Sequence, residues 1–75
     1  MNPNQTETYN NLGIAYNQIK NFTEAITAFK NAIRINPQFI DSYINFGVSY
    51  KEIRKENEEA LKLYKEGKDK QRQGV

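Results

Sequence analysis

The chain repeats itself, and that limits its possible folds more than any other feature. Asn2-Pro3 recurs as Asn36-Pro37. Tyr9, Leu12, Gly13, Tyr16 and Ile19 recur as Tyr43, Phe46, Gly47, Tyr50 and Ile53, every step being 34 residues. A second set, Ala25, Ile26, Phe29 and Ala32, recurs as Ala60, Leu61, Tyr64 and Gly67 at steps of 35. The 75 residues are two copies of one unit, with one extra residue between Ile53 and Ala60. A unit of this length is a piece of supersecondary structure that buries its apolar face on its neighbours.

Within each copy the apolar spacing is helical. Tyr9, Leu12, Tyr16 and Ile19 step by 3, 4 and 3, one stripe of an α-helix. Ala25, Ile26, Phe29, Ala32 and Ile33 form a second stripe. Asn21, with Glu24 three residues on, has the pattern of a capping box and predicts a helix start there. Asn36-Pro37 predicts its end, because Pro37 pushes Asn36 out of the α region and has no N–H to donate. The same pattern, with Glu7, starts the first helix near Asn4. Gly13 and Gly47 lie mid-helix, where glycine costs about 1 kcal/mol against alanine. Two glycines at one repeat position predict a close approach by the partner helix, at Ala25 or Ala60.

The run Tyr9, Leu12-Gly13, Tyr16, Ala25, Phe29, Ala32, Pro37 resembles the tetratricopeptide repeat, whose pattern sets an aromatic, Leu-Gly, Tyr, Ala, an aromatic and Pro over about 34 residues. Tyr9 stands where Trp is more usual. The second copy departs further, with Phe46 for Leu, Tyr64 for the aromatic, Gly67 for the small residue, and no proline. The resemblance implies an all-α fold: two antiparallel helix–turn–helix hairpins stacked as a short right-handed α-solenoid. It gives one domain over 1–75, with repeat one at about 4–37 and repeat two at about 38–73.

The second connection, Arg54-Lys55-Glu56-Asn57-Glu58-Glu59, contains neither Gly nor Pro and leaves two architectures open. In the first, expected from the repeat, it turns and Asn57 caps a new helix. In the alternative it stays helical. The stripe Phe39, Tyr43, Phe46, Tyr50, Ile53, Asn57, Ala60, Tyr64, Gly67 then runs unbroken in steps of 4 and 3, and the fused helix needs another chain, as in a swapped dimer. The ends differ too. Ile33 and Ile35 become Lys68 and Lys70, which suits a water-facing end of an array, whereas Met1-Asn2-Pro3 reads like the tail of a preceding repeat. Two repeats fall short of the roughly three that usually stand alone. Low stability, self-association as a homo-oligomer, or both are expected.

Composition removes most chemistry. With no cysteine and no histidine, the chain has neither a thiolate metal site nor the usual general base. It has no Gly-rich phosphate loop, and Glu56, Glu58 and Glu59 read as solvated acids rather than a metal site. No enzyme activity and no cofactor are expected. The net charge of +2 is small, Glu66 and Asp69 interrupt the basic residues of 62–72, and four of the five tyrosines lie on the stripe, so no nucleic-acid partner is expected. No apolar run approaches the ~18 residues of a membrane span. The first ten residues lack a leader's basic and apolar regions, making a cytoplasmic, intracellular location the default.

The remaining expectation is a recognition surface. In the resembling family the first helices of successive repeats line a concave groove that holds a partner segment, so the chain is expected to act as a protein–protein interaction scaffold binding an extended peptide. Helical phase puts Asn10, Asn11, Ile14, Asn17 and Gln18 away from the first stripe, and Ile44, Asn45, Val48, Lys51 and Glu52 away from the second. Asn11 and Asn45 lie 34 residues apart. A pair of amides can hold a peptide backbone by donating and accepting. Ten of the 75 residues are Asn, so chance pairing is the competing explanation. The family's carboxylate clamp is not expected: Asn10 stands in the Lys position, Ile14 in an Asn position, and only Asn45 fits. A structural, self-assembling repeat unit without external ligand, natural or engineered, is the alternative function.

Overall fold

The computed structural model describes residues 3–73, and these form three α-helices with no strand: α1 (Pro3–Gln18), α2 (Phe22–Ile35) and α3 (Ile40–Gln73). Side chains are described for residues 5–70. α1 opens with Pro3 at its first position, where the missing N–H has no partner to lose. The cap expected at Asn4 lies outside the described side chains.

The turn between α1 and α2 is tight. Lys20 takes φ 63°, the left-handed region. Its N–H reaches the Asn17 carbonyl at 3.0 Å, and the Asn21 N–H reaches the Tyr16 carbonyl at 2.9 Å. This is the paired hydrogen-bond pattern that closes a helix C-terminus, here built on lysine rather than the usual glycine. Asn21 then caps α2, its Oδ1 accepting from the Glu24 N–H at 3.4 Å. Asn36 ends α2 in an extended conformation (φ −137°, ψ 93°), as its place before Pro37 requires. Its N–H goes back to Ala32, and its side-chain oxygen accepts from the Gln38 N–H at 3.1 Å. Both boundaries of α2 fall where the sequence put them.

α2 is the central element. Among the described residues the buried hydrophobic side chains, Phe22, Ala25, Ala28, Phe29 and Ala32, all lie on it, and α1 and α3 pack along it. Gly13 admits the Phe29 ring: a Cβ there would lie 2.6 Å from Cζ and 2.7 Å from Cδ1. The close approach expected at Gly13 is real, but it is made by Phe29 rather than Ala25. At Gly47 there is no close approach; a Cβ would meet nothing within 4 Å.

The second hairpin does not form. α3 is one helix of 34 residues, straight through the connection at 54–59. Nothing in that segment breaks a helix: it has no Gly, no Pro, and no left-handed residue like Lys20. Its Lys, Arg and Glu are good helix formers. Arg54 and Glu58 pair at 3.6 Å across one turn, an exposed bridge of small energetic value. The stacked solenoid of two hairpins is therefore replaced by one hairpin and a long helix. α2 covers α3 only over its first half. Ile53 is half-buried, and every described residue from Arg54 onward is exposed. The described chain measures 64 × 19 × 14 Å, and its radius of gyration of 17.5 Å exceeds the ~11 Å of a compact domain this long.

The first-helix stripe also needs correction. Tyr9 and Tyr16 are half-buried, but Leu12 is 43% exposed and Ile19 is exposed. The most buried residues of α1 are Thr6, Asn10 and Gly13. Apolar periodicity misplaces the buried side because part of the interface is polar. Among the described residues, no helix is long and apolar enough to cross a membrane.

Candidate interaction surface

A layer of amides and hydroxyls joins α1 to α3. Asn10, 6% exposed, accepts through Oδ1 from the Ser42 hydroxyl at 3.1 Å and from the Asn45 amide at 3.2 Å. Two turns further along, Asn17 Oδ1 accepts from the Ser49 hydroxyl at 2.6 Å, and that hydroxyl also lies 3.2 Å from the Asn45 carbonyl. Ser42 and Ser49 are fully buried. Buried polar atoms are costly unless paired, so these bonds fix the two helices side by side. The Thr6 hydroxyl in the same row is buried without a partner among the described residues.

This layer sorts the residues expected to line a groove. Asn10 and Asn17 are turned toward α3 and are engaged there, and Asn45, half-buried, is engaged with Asn10. Asn11, Gln18, Ile44, Val48 and Lys51 are exposed, and Ile14 and Glu52 are half-buried. At about 100° per residue, Asn11, Ile14 and Gln18 flank the Asn10/Asn17 line on the side away from Gly13 and α2. Ile44, Val48 and Lys51 flank the Asn45 line on the side away from Phe46, whose ring faces Lys30 of α2 with Nζ 6.0 Å from its centroid. The two sets therefore border the α1–α3 seam on one side of the molecule. Serines 42 and 49 were not among the expected site residues. They are 7 apart, as are Asn10 and Asn17, and that matched spacing was a legible sign of a polar seam.

A concave surface lies further around α3 and shares Lys51 with the seam side. A groove of about 380 Å³ is lined by Gly47, Tyr50, Lys51, Arg54, Lys55 and Glu58. Tyr50 is stacked on Phe46 with ring centroids 6.4 Å apart. Among the described residues, no three of His, Cys, Asp and Glu gather to hold a metal ion.

The family model for the tetratricopeptide repeat matches residues 6–39, one full period covering α1, the turn, α2 and the linker into α3. Neither the curated proteins nor the solved structures offer a match. The matched unit is generally a non-enzymatic module that binds proteins or peptides. Its hallmark positions are the ones that build the hairpin here: Gly13 receives Phe29, Ala25 and Ala32 are buried, and Pro37 follows the helix end. Residues 6–39 are a tetratricopeptide repeat.

Proposed function

We propose that the chain is a protein–protein interaction scaffold that binds an extended peptide along the seam side of α1 and α3. Asn11, Ile14 and Gln18 form one wall; Ile44, Val48 and Lys51 form the other. Asn10, Asn17 and Asn45 back the seam and hold the walls apart. The observation that carries this reading is a pair of apolar side chains, Ile44 at 60% and Val48 at 49% exposure, flanking the half-buried amide of Asn45. Isoleucine and valine offer apolar contact to alternate side chains of a strand-like ligand. The amides of Asn11, Gln18 and Asn45 offer donors and acceptors to its backbone. Curved repeat surfaces of this kind serve extended ligands.

Selection from displayed random peptides tests it. Enrichment of extended apolar sequences is expected. Ile44→Asp and Val48→Asp should each weaken the selected peptide at least about tenfold, while Leu12→Asp, on the opposite side of α1, should not. A selection that enriches nothing, or peptides insensitive to both groove substitutions, refutes the groove. A self-assembling unit without external ligand is the second reading, favoured by the uncovered length of α3 beyond Ile53.

A further inference from the structure

The internal repeat supplies both halves of a contact that a single chain cannot make. In the first copy, Gly13 admits the ring of Phe29. One repeat later the same lock is Gly47, which has open space around it, and the same key is Tyr64, which is 60% exposed. Both sit on α3, and 17 residues of continuous helix hold them about 25 Å apart. No rotation of a side chain closes that gap.

We propose that the open face of α3 is occupied by α3 of a second copy of this chain, antiparallel and related by a two-fold axis, so that each copy completes the other's second repeat. Setting Gly47 against Tyr64 of the second copy fixes the register. The axis passes between Lys55 and Glu56. Tyr50 then faces Leu61 of the second copy, the counterparts of Tyr16 and Ile26 in the first repeat. Charge agrees independently. Residues 51–55, Lys-Glu-Ile-Arg-Lys, carry three basic groups and one acidic, and residues 56–59, Glu-Asn-Glu-Glu, carry three acidic groups. The dyad lays Arg54 and Lys55 of each chain against the acidic segment of the other, a self-complementary arrangement that closes at two. The groove lined by Gly47, Tyr50 and Arg54 lies on this face, and Leu61 and Tyr64 are exposed. Lys68, whose Nζ lies 5.0 Å from the Tyr64 ring centroid, stays at the rim. This contact adjoins the peptide groove at Lys51, which lines both, but Gly47, Tyr50, Leu61 and Tyr64 belong to it alone.

Sedimentation equilibrium of the full chain at rising concentration is the test, with Gly47→Ala and Tyr64→Ala beside it. A monomer–dimer equilibrium is expected, weakened at least about tenfold by either substitution. Gly47→Ala is the sharper variant, because in an isolated α3 the added methyl meets nothing and alanine only improves the helix. A strict monomer overturns the proposal. A dimer indifferent to both substitutions overturns its register, and oligomers that grow without limit overturn its closure.

Discussion

Replacing Gly13 by alanine sets helix propensity against packing, and the structure decides which wins. Propensity alone favours the variant by about 1 kcal/mol, since glycine is a poor residue inside a helix. Packing opposes it. The new Cβ would stand 2.6 Å from Phe29 Cζ and 2.7 Å from Cδ1, where carbon atoms prefer about 3.5–4.0 Å. The ring must retreat by roughly 1 Å, yet Phe29 is fully buried and has no free side to retreat to. Overpacking of this kind costs about 1–3 kcal/mol. The net expectation is a loss of about 1 kcal/mol, a fall of roughly 4–8 °C in the unfolding midpoint of a chain this size. Far-ultraviolet circular dichroism during heating, at one fixed protein concentration, measures it. Gly67→Ala is the control: a Cβ there meets nothing within 4 Å, and the matching position of the first repeat is already Ala32, so its midpoint should hold or rise. If Gly13→Ala raises the midpoint as the control does, glycine is not there to admit the ring.

Asn10→Ala should cost about 1–3 kcal/mol by urea unfolding, because it strands the fully buried Ser42 hydroxyl and the Asn45 amide. Asn17→Ala should cost less, since Ser49 keeps the Asn45 carbonyl as an acceptor. Lys20→Gly should stabilise by up to about 1 kcal/mol in the same assay by relieving the left-handed backbone. Asn21→Ala should lose about 1 kcal/mol with the cap of α2. Hydrogen exchange should grade along α3: amides before Ile53 protected, those beyond it fast at dilutions where the chain is alone, because packing covers only the first part.

The helices of the first copy were legible because local chemistry and periodicity agree there. Asn21 and Asn36-Pro37 mark the ends of α2, and the spacing of Ala25, Phe29 and Ala32 marks its buried side. The second copy was misleading for a physical reason. Its repeat pattern asks for a hairpin at 54–59, but no residue in that segment supplies the backbone geometry that Lys20 adopts in the first turn. The alternative of an unbroken helix was readable from the same residues, since the 35-residue step preserves the 4–3 spacing. The polar seam was only partly legible. Helical phase grouped Asn10 with Asn11, and it could not separate Asn11, which faces solvent, from Asn10, which faces Ser42. The difference depends on where the third helix lands. An apolar-stripe argument is blind to a seam made of amides and hydroxyls, and so it expected Leu12 where Thr6 and Asn10 are buried.

The two bonds from α1 to the serines of α3 join residues separated by the same interval, 32 positions, and lie two turns apart. Greasy rods glide past one another at little cost, because one methyl replaces the next. Here a slip of a single turn would break both asparagine–serine bonds at once. The pair therefore acts as a detent with one stop, giving a small and thinly packed chain a unique alignment that its apolar surface alone would not enforce.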